Sequence, residues 1–219
     1  MLFCFLGGTE KRMKEISPES AHRALQYQAF INAPQPTVTV FKTVDVTRLY
    51  RLSRRNQKFN TMLCYCVGKA ALSVPAFKLH VENKKLYLLE EPYAVSLVVP
   101  NKMGGINICE VPFTEDYALF ARHYEENTAR AYEKCENVSK EGSVLVGTSA
   151  MVETEIDGIV NLYSEAFNNP FLCWARYKKQ GLRRKLPFSF QFHHVQMDGA
   201  DACRFLAALE REVKAFSCK

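Results

Sequence analysis

The chain has no Cys-x-x-Cys pair, and none of its eight cysteines lies near a histidine at zinc-finger spacing. That excludes a zinc ribbon or finger. The cysteines, at positions 4, 64, 66, 109, 135, 173, 203 and 218, sit mostly among apolar residues, as buried free thiols do. This favours a reducing compartment over a disulfide scaffold, and the expected location is the cytoplasm. No apolar run approaches the ~20 residues of a membrane span, so no membrane partner is expected. Residues 1–8 are apolar but few, with no charge ahead of them and Lys11, Arg12 and Lys14 behind, so they do not read as a signal peptide. Met13 offers a second possible start. There is no glycine-rich phosphate loop: Met103-Gly104-Gly105 is an isolated turn signal. Repeats, low-complexity segments and Pro/Gly/Ser linkers are also absent, which leaves a single domain as the expectation.

What is present is an ordinary globular composition. Of 219 residues, 47% are hydrophobic and 24% charged, enough to bury a core without disulfides or metals. The net charge of +6 suits an anionic partner, including a phosphorylated co-substrate, and does not by itself imply nucleic acid.

Periodicity predicts a short helix over 18–27, a strand over 37–46, a basic helix over 46–57 and a buried helix over 61–74. Two strands follow over 77–89 with a turn at 82–85, then strands over 93–99 and 106–111. A long amphipathic helix spans 115–136, with Leu119, Tyr124, Ala131 and Cys135 forming one broad face. Further strands are expected over 143–152, 159–163, 170–177 and 187–194, and a final helix over 199–216. Strands and helices mix without regular βαβ alternation. The predicted class is therefore α/β, a two-layer sandwich with a mixed, largely antiparallel sheet covered by helices.

One segment carries chemistry: Phe190-Gln191-Phe192-His193-His194-Val195-Gln196-Met197-Asp198-Gly199. It closes a strand, makes a short loop and opens the last helix. Adjacent strand residues point to opposite faces, so His193 and His194 cannot chelate one ion side by side, and no metal site is expected. One histidine can face a cleft while the other packs. A histidine at a strand end is well placed to act as a general base, although both could equally be ordinary core or edge residues.

The segment resembles the active-site signature of chloramphenicol acetyltransferases, His-His-x-x-x-Asp-Gly between an amphipathic strand and the C-terminal helix. Other stretches are similar to the same family. Ala175-Arg176-Tyr177-Lys178-Lys179-Gln180-Gly181 and Leu186-Pro187-Phe188-Ser189 resemble the run ahead of that strand. Gly147-Thr148-Ser149-Ala150 resembles the family's Asn-Ile-Ser-Ala. Arg23 with Tyr27 and Phe30 resembles its N-terminal Arg and aromatic pair, and Val44-Asp45-Val46-Thr47 its Ile-Asp-Ile-Thr. These anchors span residues 20–216 in order. The signature alone is shared with peptide-synthetase condensation domains and, in variant form, with lipoyl acyltransferase cores, so length and the other anchors select the compact family.

The resemblance implies a coenzyme-A-dependent O-acetyltransferase, with residues 1–15 as an N-terminal extension without expected structure and 16–219 as one acetyltransferase domain. His194 would be the general base, its neutral ring held by its own backbone carbonyl. Ser149 would donate to the oxyanion. Asp198 would pair with Arg23 to fix the loop, and Gly199 would let it turn into the helix. Lys58 and Arg176 would lie near the phosphates of coenzyme A and Tyr177 against its adenine. Phe30, Val38, Ile159 and Cys173 would line the acceptor pocket. Acetyl-CoA is implied as co-substrate, with no permanently bound cofactor, and the family's assembly is a homotrimer with the site between subunits. A nucleophilic cysteine is not needed.

The chain departs from the family at several points. Ser-Ala-Leu-Pro-Trp becomes Ser149-Ala150-Met151-Val152-Glu153, the Cys before the Asp becomes Met197, Ala200-Asp201 follow the Gly, and Cys173 stands for a threonine. Several such pocket changes can redirect specificity, so they bear on the acceptor more than on acetyl transfer; the resemblance implies chloramphenicol, with antibiotic resistance as the role, or a related small hydroxyl compound. Two alternatives stand beside this. One is a related acyltransferase with another acceptor. The other is a non-catalytic anion-binding homologue that uses the basic stretches 51–58 and 178–185 on nucleic acid.

Overall fold

The computed structural model describes residues 12–55, 57–139, 143–163 and 168–218. A seven-stranded mixed sheet runs β2(Thr37–Asp45), β10(Arg183–His193), β8(Phe171–Ala175), β7(Ser143–Met151), β5(Tyr93–Pro100), β6(Ile106–Pro112), with β9(Lys178–Gln180) paired to β10. The pairs β5–β7 and β7–β8 are parallel, and the other pairs are antiparallel. A second sheet of three short strands, β1(Met13–Glu15), β4(Lys85–Leu89) and β3(Leu79–Glu82), stands apart from it. The helices are α1(Ala24–Phe30), α2(Thr47–Ser53), α3(Phe59–Leu72), α4(Tyr117–Lys134) and α5(Gly199–Ala215). This is the expected α/β class with a mixed sheet under helices.

The alternation of β10 decides where the core lies. Its even residues Phe188, Phe190 and Phe192 join the helix-covered core, while Ser189, Gln191 and His193 face the other way. Phe190 packs on Phe77 and on Phe205 of α5, with ring centroids 5.9 and 4.7 Å away. Ala202, Phe205, Leu209 and Val213 are buried at helical spacing, so α5 is pinned along one stripe. Burial of Phe205, Leu209 and Val213 contributes about 1.5–3 kcal/mol each. α3 is buried on nearly all faces, as its apolar run predicts. Gly68 is required there, because a Cβ would come within 2.5 Å of the Phe113 ring.

Four expectations change. The 18–27 helix is instead a set of turns followed by α1 at Ala24–Phe30, since Pro18 and Ser20 shape a turn rather than a first helical turn. Residues 159–163 form no strand. The buried stripe of α4 is Tyr117, Phe120, Asn127 and Ala131, so Leu119 and Cys135 lie off it, and Cys135 ends the helix in the left-handed conformation (φ 55°). Met13–Glu15 pair with β4 and so belong to the fold rather than to an extension, while residues 1–11 lie outside the described residues.

A second apolar cluster sits beside the end of β10. Leu79, Val81, Leu86 and Val195 are buried together, with Ile16, Ala21, Tyr27, Phe30 and Ile31 packed around them. The small sheet and α1 thus clamp the residue that follows His194.

Candidate active site

His193 is the last residue of β10, and a turn follows it. The His194 backbone N–H donates to the Pro36 carbonyl at 2.8 Å. Val195 and Met197 are fully buried, and the Gln196 side-chain amide donates to the Leu79 carbonyl. The turn is therefore held from both sides. The His194 ring is half-buried and stacks on Phe30, with centroids 4.3 Å apart and planes within 4°. Its Nδ1 is buried and has no hydrogen-bond partner from another described residue. Nε2 is thus the nitrogen left for an incoming ligand.

His193 points the other way. It is 2% exposed, and its Nδ1 accepts the Val195 backbone N–H at 3.2 Å. Burial, reinforced by the neighbouring His194 charge, lowers its pKa to about 4, so it is a neutral packing residue. The two side chains are thus separated, His193 packed inside and His194 half-buried against Phe30.

Behind the turn, Asp198 caps α5 by accepting from the Ala200 and Asp201 backbone N–H groups, and Asp201 reciprocates to the Asp198 N–H, a capping box. The buried Arg23 guanidinium spans both carboxylates, reaching Asp198 at 3.0 Å and Asp201 more closely still. The Asp201 N–H and the Arg23 guanidinium outweigh burial and hold the Asp198 carboxyl below its usual range. The sequence reading paired Arg23 with Asp198 and missed Asp201, although an acid three residues after a capping Asp is a capping-box signal. Gly199 has no left-handed φ, and an added Cβ there would meet nothing within 4 Å. The entry into α5 is set by the Asp198 cap rather than by glycine.

A second group of residues lies elsewhere on the sheet. Ser149 on β7 is in register with Cys173 on β8, which is in register with Ser189 on β10. Ser149 is half-buried, and its hydroxyl has no hydrogen-bond partner among the described residues. The Cys173 thiol donates to Asn161 at 3.2 Å. Burial, against that hydrogen bond, pushes its pKa up to about 11, so it is no nucleophile. Arg176 is exposed, its Nε donating to the Val152 carbonyl at 3.1 Å. The Tyr177 ring lies 5.3 Å from Tyr50 and 5.5 Å from Phe59. Lys58 precedes Phe59 and pairs with Glu125 at 3.2 Å. Ile159 is half-buried in the segment that follows β7.

The register keeps the two groups apart. From Ser149 to His193 is roughly 10 Å across two strand spacings and roughly 13 Å along the strand. Tyr177 lies farther still, beyond the end of β8 that points away from His194. Of the residues expected to line the acceptor pocket, Phe30 meets His194, Cys173 is in register with Ser149, Ile159 lies in the segment after β7, and Val38 packs into the core opposite Phe192. One chain thus presents two separate groups of candidate residues.

The sequence profile of the chloramphenicol acetyltransferases matches residues 13–210. The chain belongs to the chloramphenicol acetyltransferase family. It is accordingly an acyltransferase. It is 23% identical to chloramphenicol acetyltransferase 2 of Escherichia coli over 173 residues, 76% of this chain and 81% of that protein. A solved chloramphenicol acetyltransferase superposes with a TM-score of 0.78 at 17% identity, over 92% of this chain and 99% of the other. The dihydrolipoamide acetyltransferase of Azotobacter vinelandii shares the fold at a TM-score of 0.68 and 15% identity, over 91% and 90% of the two chains. Among the described residues no helix is long and apolar enough to cross a membrane.

Proposed function

We propose that this protein transfers an acetyl group from acetyl-CoA directly to a hydroxyl of chloramphenicol or a related small molecule, with His194 as general base. The supporting observation is the half-buried His194 ring, fixed by Phe30 with Nδ1 sealed off and Nε2 free. Nε2 takes the acceptor hydroxyl proton as that oxygen attacks the thioester carbonyl. The carbonyl oxygen becomes an oxyanion that accepts a hydrogen bond from Ser149, a donor worth roughly 3 kcal/mol of transition-state stabilisation. Collapse breaks the C–S bond, and the departing thiolate takes the proton back from His194, so no acyl-enzyme forms. In this reading Lys58 and Arg176 take the coenzyme phosphates and Tyr177 takes the adenine.

The separation of the two groups supports a site completed by a second copy, His194 from one and Ser149 from the next. Different surfaces meeting head to tail close into a ring, and a homotrimer is the assembly we propose. Phe41, Val160 and Leu162 are 55, 64 and 92% exposed, an apolar margin suited to such contact. The test of the reading is thiol release from acetyl-CoA that requires a hydroxyl acceptor and yields its ester. Release at the same rate without any acceptor, or with amines alone, would reject it.

A further inference from the structure

The two basic stretches of the sequence converge on a cleft that neither group of candidate residues uses. Arg48, Arg51 and Leu52 of α2, and Arg55 just after it, follow i, i+3, i+4, i+7 spacing and share one face. Leu182 and Arg183 of the β9–β10 hairpin and Lys214 near the end of α5 form the other walls, with Asp45 and Thr47 at the base. It is a cleft open to solvent, of about 790 Å³, within the roughly 300–1,000 Å³ of small-molecule sites.

Its charge is one-sided. Five cationic side chains face one carboxylate. Asp45 is already held by Lys185 at 3.3 Å and Arg183 at 3.7 Å. Lys214 reaches Glu210 at 3.8 Å, and Arg48 Nε donates to the Phe216 carbonyl. Arg51 and Arg55 are exposed and have no ion-pair partner among the described residues. Clustered guanidinium groups match phosphate oxygens in bidentate fashion.

We propose that this cleft is a second anion site that takes the triphosphate chain of a small molecule. The cations gather in one recess rather than along a track, which suits a compact chain over a nucleic-acid backbone. Among the described residues no aromatic ring lines the cleft to stack a base: Tyr50 of α2 is covered by the Arg184 guanidinium at 4.5 Å. Tyr50 meets Tyr177 edge to face, with ring centroids 5.3 Å apart, and neither ring lines the cleft. The proposal does not depend on the donor site lying at Tyr177.

Calorimetric titration of the full chain with inorganic tripolyphosphate, ATP, acetyl-CoA and a short DNA duplex tests it. Saturable binding of tripolyphosphate is expected, weakened at least about tenfold by Arg51→Ala/Arg55→Ala and unchanged by Lys58→Ala. The paired variant should leave acetyl-CoA binding unaltered. Both arginines are exposed, so it should fold, which circular dichroism checks. ATP binding tighter than tripolyphosphate assigns a nucleotide as the source, and equal binding assigns the inorganic chain. No saturable heat, equal weakening by Lys58→Ala, or tighter binding of the duplex would each overturn the proposal.

Discussion

The imidazole of His194 lies flat on the ring of Phe30, with centroids 4.3 Å apart and 4° between their planes. The contact joins residues brought together by two different elements, α1 and the turn after β10. It leaves the ring one free edge. Removing Phe30 should loosen the ring without removing its basic nitrogen. Phe30→Ala is expected to lower kcat by about tenfold while KM for acetyl-CoA stays within about twofold, and Phe30→Tyr should restore most of the rate. Steady-state kinetics on the three proteins decides this. A KM effect alone would mean that Phe30 holds a substrate instead.

Arg23 is the scaffold of the turn. Its guanidinium is buried against two carboxylates, one of them 5% exposed. Arg23→Ala leaves the buried Asp201 carboxylate only the exposed Arg204 as a cation, at 2.5 Å, so unfolding stability should fall by about 2 kcal/mol. Denaturant titration measures it. A loss under about 0.5 kcal/mol would mean that the capping box alone holds the turn.

His193 links stability to pH. Its pKa is 6.5 in an unperturbed chain and about 4 in the fold. Between those values the unfolded chain binds a proton that the folded chain does not, so stability is full above about pH 6.5 and falls as pH drops toward 4. The loss approaches about 3 kcal/mol at the bottom of that window. Asp198, with its lowered pKa, acts in the same direction only below the ordinary carboxylate range. Unfolding curves at several pH values should show the slope, and His193→Gln should flatten it.

Ser149 tests both the oxyanion role and the shared site. Ser149→Ala should reduce kcat by about 10²-fold with little change in acceptor KM. If each site takes its histidine from one copy and its serine from the next, co-refolding Ser149→Ala with His194→Ala in equal amounts should rebuild about one quarter of the sites. Activity that stays at the level of either variant would place both residues in one chain.

Much of this was legible in the sequence, and the misses share causes. The strong alternation of Phe188, Phe190 and Phe192 marked β10 and its core face, and the Ala202-to-Val213 stripe marked α5. Asp198 was legible as a turn residue, but its partner Asp201 was read only as a departure. The β9 strand has three residues, Lys178–Gln180, too few for a periodic signal. Residues 159–163 are β-rich in composition yet find no pairing edge, so tertiary context overrides propensity there. Most of all, no local pattern reveals that Ser149 and His194 lie apart on the sheet. That follows from strand register, which is set by long-range pairing.

The most direct measurement is the rate of thiol release from acetyl-CoA by His194→Ala, with chloramphenicol as acceptor and circular dichroism as the check on folding. A folded variant slowed by at least ~10²-fold is the expected result, the low end of what a general base contributes. A folded variant within a few-fold of the unaltered protein would contradict the role assigned to this ring.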